Sequence, residues 1–145
     1  MLKILFVALL GVGVALNAAH AAEPSDAGEC QSHFSEQGSV FSGKQYATWV
    51  AFPMVAKLDA YTRVYSAIAK DGWTINSADR DAGIISATQS VSFGKGSTAP
   101  LTIVVEALNG GSKVSFSFRI GGGQVAKASA IRMKMCAYLN AVATP

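Results

Sequence analysis

A helix that must end abruptly and hand over to a strand constrains this chain more than any other feature. Between Leu58 and Trp73, the residues Tyr61, Val64, Tyr65 and Ile68 recur at i, i+3, i+4 and i+7. That spacing puts four large apolar groups on one stripe of an α-helix, with Lys57, Arg63, Ser66 and Lys70 mainly off it. Asp59 is the preferred N-cap, since its carboxylate would accept from the free amides of the first turn and face the positive end of the helix dipole. The alternative is a start near Val55, which makes Asp59 an ordinary i+4 partner of Arg63. Gly72 can adopt the left-handed conformation that closes a helix without a Cβ penalty. Trp73, just past that end, is read first as a core aromatic and second as a stacking surface for a ligand.

The 145 residues read as one domain behind a leader. Met1-Leu2-Lys3 begins positively, Ile4 to Leu16 is an apolar run short for a membrane span, and Ala19-His20-Ala21 offers small residues where a signal peptidase cuts. Residues 1–21 are therefore expected to be a signal peptide, cleaved near Ala21, leaving a chain without a transmembrane segment in the periplasm or secreted. Loss of Lys3 leaves eleven basic against nine acidic residues, a net charge of +2. So small a surplus, with no basic run, gives no sign of nucleic-acid binding. The mean hydropathy of +0.32 is raised by the leader.

Cys30 and Cys136 are the two cysteines of the sequence. In an oxidising compartment they read as one disulfide tying the N-terminal segment to the last helix, with two free thiols as the alternative. They lack the spacing of a redox motif.

Residues 22–45 are rich in Ser, Gly, Gln and acidic side chains, and are expected to be a loosely ordered arm held by Cys30 and by Phe34 and Phe41. From 46 to 145 the pattern tightens into a single domain. Tyr46, Thr48, Val50 and Phe52 alternate with Ala47, Trp49 and Ala51 as a strand with one bulky face does, and Pro53 restricts that strand to an edge, a bulge or an early end. After the helix come a short strand at Trp73–Asn76 and a polar turn at Asp79–Gly83. A strand with Ile85, Ala87, Gln89, Val91 and Phe93 on one face follows, then a connection from Gly94 to Pro100. The next strand carries Leu101, Ile103 and Val105. Asn109-Gly110-Gly111-Ser112 is a hairpin signal, because its residues accept positive φ cheaply. Val114, Phe116, Phe118 and Ile120 then alternate against Lys113, Ser115, Ser117 and Arg119. A final helix is expected from Gln124 to Val142, its stripe made by Val125, Ala128, Ile131, Met135, Leu139 and Val142. The order β-α-β-β-β-β-α predicts an α+β fold, a single antiparallel sheet of about five strands with two helices packed on one face.

Chemistry-bearing clusters are sparse. Downstream of the leader His33 is the remaining histidine, read as an exposed loop residue, so a metal cluster or a Ser-His-Asp triad has too few members. Asp79 and Asp81 share one short turn and read as solvated rather than as a cation site. Gly121-Gly122-Gly123 precedes a helix but lacks the framework of a phosphate loop, and Gly94-Lys95-Gly96-Ser97-Thr98 reads as a plain loop. No catalytic residue, metal or cofactor is expected, and the chain is read as not an enzyme; a hydrolase or isomerase with an unseen site is kept as a third reading.

The residues Asp59-Ala60-Tyr61 with Val64, then Ala69-Lys70-Asp71-Gly72-Trp73-Thr74-Ile75 and Asp79 to Ile85, resemble the small helix-grip domains of bacterial envelope proteins of the BamC-like type. The likeness in topology covers roughly residues 46–142. It implies a helix-grip-like, non-catalytic envelope domain that contacts another protein or a small ligand. The leading expectation is thus a non-enzymatic periplasmic binding or accessory module contacting an envelope protein. Its surface would be the outer sheet face with Thr88, Ser90, Ser115, Ser117 and Arg119, or the groove between helices and sheet. The alternative is a carrier of a small apolar ligand in a cavity between helix and sheet, lined by Tyr61, Tyr65, Trp73, Phe116 and Phe118. A closed interior would exclude the carrier, and a cavity above about 300 Å³ would favour it.

Overall fold

A computed structural model of the chain describes residues 26–91 and 97–144. The expected leader, Phe93 of the expected strand and Gly94 to Gly96 of the expected connection lie outside them. The elements are α1 (Asp26–Ser32), β1 (Ser35–Ser39), β2 (Gly43–Phe52), α2 (Lys57–Lys70), β3 (Thr74–Asp79), β4 (Ile84–Ser90), β5 (Thr98–Leu108), β6 (Gly111–Ile120) and α3 (Ala128–Ala143). Six strands form one antiparallel sheet in the order β1-β2-β6-β5-β4-β3. The long step from β2 to β3, at opposite sides of the sheet, is made by α2 crossing its inner face. The helices pack over that face and α3 lies against both α1 and α2, the arrangement of a helix-grip fold.

The stretch 22–45 corrects the expectation of a loose arm as far as it is described. It holds α1, β1 and the start of β2, and β1 pairs with β2 from Ser35↔Ala47 to Ser39↔Gly43. Every residue of β1 is exposed, so it has no alternating apolar face to reveal it. Its backbone bonds to β2 make it a strand. Phe34 packs against the core as expected, whereas Phe41 is 94% exposed at the β1–β2 turn and holds nothing down. Pro53 marks an early strand end: β2 stops at Phe52, and it is an interior strand paired with β1 and β6.

The preferred cap for α2 is also corrected. The helix begins at Lys57 with Ala56 at the N-cap and no side-chain cap, so Asp59 lies within the first turn. Ala60, Tyr61, Val64 and Ile68 are the buried positions, while Tyr65 is 37% exposed at the margin of the stripe. At the other end the expectation holds. Gly72 has φ +86°, its amide donates to Ala69 O and the Trp73 amide donates to Ile68 O. These two bonds form a Schellman motif.

The last helix starts later than its periodicity predicts. The Gly123 amide donates to Val40 O at 2.8 Å, and the Gln124 side chain accepts from the Gly121 amide at 2.7 Å. The connector is thereby held beside the β1–β2 turn, and α3 begins only at Ala128, leaving Val125 83% exposed. From there the stripe is Met135, Cys136, Tyr138, Leu139 and Val142, with Ile131 partly buried. The Asn109-Gly110 turn has positive φ at both residues and joins β5 to β6 as a tight hairpin.

Cys30 and Cys136 form a disulfide, with Cα atoms 5.6 Å apart and a sequence separation of 106. It joins α1 to α3. A second clasp runs from α2, where the Arg63 Nη1 donates to Val142 O at 2.8 Å and places a cation at the negative end of α3.

Candidate functional site

Near the start of α3 the packing between helix and sheet is incomplete. A cavity of about 190 Å³ has Trp73, Leu101 and Phe118 on its sheet side and Ala130, Ile131, Met135 and Tyr138 on its helix side. Gln89 and Lys134 are its further polar members. Phe118 reaches it because the alternation of β6 aims even-numbered residues inward, and Leu101 sits opposite Phe118 in the β5–β6 register. Trp73 is placed by the Schellman turn, with its indole edge-on to the Phe118 ring at 5.9 Å between centroids. Ile131, Met135 and Tyr138 follow i, i+4 and i+7 on one face of α3.

A polar chain closes one wall. The Trp73 Nε1–H donates to the Tyr138 hydroxyl at 2.8 Å, and that hydroxyl donates to the Asp71 carboxylate. The Asp71 carboxylate also takes the Lys134 ammonium at 2.9 Å. Hydrogen bonds from Tyr138 and then from Lys134 hold the Asp71 carboxyl below its ordinary value of 3.8. Burial, followed by its bond to Asp71, pushes the Tyr138 phenol well above the ordinary 10.0.

The sign of each shift fixes a pH window. Ionised Asp71 contributes stability above the ordinary carboxylate value, and that contribution is lost as the pH falls through the lower folded value. Neutral Tyr138 contributes stability below about pH 10, and that contribution is lost as the pH rises toward the raised folded value. Urea midpoints between pH 7 and pH 2 should therefore fall less in Asp71→Asn than in the wild type. Equal acid slopes would show that the pair contributes nothing to the acid limb.

The residues expected to line one cavity are distributed over three places. Trp73 and Phe118 line the cavity. Phe116 lies deeper, 2% exposed, with its ring centroid 6.0 Å from that of Tyr138. Tyr61 and Tyr65 border a separate cleft with Thr62, Ala78 and Arg80, between α2 and the edge strand β3. Arg119 faces the other way, on the helix-free side of the sheet, beside Pro100, Thr102 and Ser117. Ser115, Ser117, Thr88 and Ser90 share that face by strand alternation, and Ser117 accepts from the Gln45 amide at 3.1 Å.

Tyr138, Met135, Ile131, Lys134, Leu101, Gln89 and Asp71 were not expected as site residues. The i+7 step from Ile131 to Tyr138 was the available signal for the most important of them. His33, expected as an exposed loop residue, is half-buried: its ring stacks on Trp49 at 3.5 Å between centroids. Asp79 and Asp81 stay in their turn, where an Asp79 oxygen accepts from the Ala82 amide at 2.8 Å and Lys57 Nζ donates to Asp81 O.

No family model matches the chain, and no curated protein matches it. Among solved structures, the crystal structure of Ara h 8.0201 is similar over 68% of this chain and 93% of that one, at 15% identity and a TM-score of 0.36. The BamC-like resemblance gains no further support from these comparisons. None of the helices among the described residues is long and apolar enough to cross a membrane.

Proposed function

We propose that this protein is a non-enzymatic binding module of the periplasm or extracellular space that carries a small apolar molecule between α3 and the sheet. The observation that carries the reading is the mostly apolar cavity of about 190 Å³ walled by Trp73, Leu101, Phe118, Ile131, Met135 and Tyr138. It is smaller than the 300 Å³ or more of drug-sized sites. It is nevertheless larger than the roughly 150 Å³ apolar cavity that holds benzene in another protein. A single ring or a short branched chain is the occupant that such a space fits. The disulfide supports an oxidising compartment, as does the leader pattern of the sequence.

Trp73 provides the assay, because it forms part of the wall. In a Trp49→Phe background it is the sole tryptophan. Burying about 200 Å² of a small ring at about 25 cal/mol/Å² is worth about 5 kcal/mol, which corresponds to a Kd on the order of 0.1–1 mM. Saturable change in Trp73 emission with benzene-sized probes, blocked by Ala130→Leu at the cavity wall, is the expected result. A linear, unsaturable response to every probe would end the carrier reading.

The second reading, an accessory module contacting an envelope protein of the kind the BamC-like resemblance implies, is favoured by one observation. Val40, Phe41 and Val125 are large apolar side chains exposed where the β1–β2 turn meets the connector to α3, and exposed apolar groups of this kind are typical of protein contacts. Capture of a periplasmic protein that Phe41→Ser abolishes is the signature of that reading.

A further inference from the structure

Hydrogen-bond accounting at the cavity wall discriminates between classes of occupant. The Trp73 indole proton is committed to Tyr138, and the Tyr138 proton is committed to Asp71. Both rings therefore offer the cavity apolar surface and no free donor. Lys134 is different. Its ammonium has three N–H groups, its hydrogen-bond partner among the described residues is the Asp71 carboxylate, it lies 5.9 Å from the Tyr138 ring centroid, and its side chain is 54% exposed. At least one N–H is thus left for an occupant. Gln89, on the same wall, has no side-chain partner among the described residues and adds an amide donor and acceptor. Among the described residues that line the cavity, Lys134 is the one that carries a formal charge, with Asp71 behind it.

We infer that the ligand is a small monocarboxylate, an aromatic or branched-chain acid, whose apolar part fills the cavity and whose carboxylate shares the Lys134 ammonium with Asp71. The inference rests on the carrier reading and adds the chemistry of the ligand's polar end. Asp71 already neutralises part of the Lys134 charge, so the preference for an anion is modest. An ion pair as exposed as this one is worth about a three- to five-fold difference in affinity.

The probes are phenylacetate and phenylacetamide, equal in shape and different in charge, titrated against Trp73 emission in the Trp49→Phe background. Phenylacetate is expected to bind about three- to five-fold more tightly, and Lys134→Met should remove that difference between the two probes. Asp71→Asn, which frees the ammonium, should widen it, and a near-ultraviolet circular dichroism spectrum like that of the parent shows that each variant is folded. Equal binding of the two probes, or a preference that survives Lys134→Met, overturns the carboxylate inference and leaves the carrier reading standing. Saturable binding of neither probe overturns the inference, and the carrier reading falls with it only if benzene-sized hydrocarbons also fail.

Discussion

Breaking the Cys30–Cys136 bond is expected to lower stability by up to about 4–5 kcal/mol. The crosslink closes a loop of 106 residues, and in the chain-entropy model the stabilisation grows with the logarithm of loop length. Domains of this size are stable by about 5–15 kcal/mol in all, so the reduced protein is left near the margin. Both half-cystines are almost fully buried, and the Cys30 carbonyl accepts from the Thr48 hydroxyl at 2.7 Å, which seats α1 on β2. Urea unfolding of Cys30→Ala/Cys136→Ala beside the wild type, each with and without reductant, measures the difference. A loss below about 1 kcal/mol would mean that α1 and α3 are held together by packing alone.

Replacing Trp73 comes next. Trp73→Ala is expected to cost about 3–5 kcal/mol, the range for deleting a large aromatic from a core. Three contributions are lost together: burial of an indole that is 9% exposed, its edge-on contact with Phe118, and the donor that holds the Tyr138 hydroxyl. Trp73→Phe retains much of the burial but not the donor, and should cost about 1–2 kcal/mol. Equilibrium unfolding midpoints of the two variants separate packing from the hydrogen bond. If Trp73→Phe is as damaging as Trp73→Ala, the bond to Tyr138 rather than the packing anchors this corner. If Trp73→Ala is nearly neutral, the corner is already hollow and the indole wall of the proposed site is not structural.

The same corner shows how far the sequence could be read. Gly72 and Trp73 announced a helix end and a buried aromatic, and both are present because a Schellman turn is a local motif, closed within six residues. Asp59 was a poorer guide. A carboxylate in the first turn satisfies the helix dipole almost as well as a cap does, so residue type alone does not distinguish the two positions. Val125 fits the period of α3 yet lies outside it, since bonds from Gly123 to Val40 and from Gly121 to Gln124 fix a turn there before the helix starts.

For the cavity, the sequence offered its two aromatic sheet-side members, Trp73 and Phe118, and little of the helix that covers them. Tyr61 and Tyr65 had the same chemical character but belong to another helix face. Tyr138 and Asp71 are separated by 67 positions and bond directly, a pairing that no local period encodes.

What the residues determined unaided were the quantities set by near neighbours: the two-residue alternation of β6, the apolar stripes of α2 and α3, the Asn109-Gly110 hairpin, and a disulfide between the two cysteines available. Tertiary structure alone decided that Ser35–Ser39 is a strand, because its polar side chains carry no pattern and only the free backbone edge of β2 gives it partners. It also decided where packing stays incomplete. A cavity is the mismatch between surfaces contributed by Trp73, Leu101, Phe118 and α3, and such a mismatch exists only once those surfaces meet.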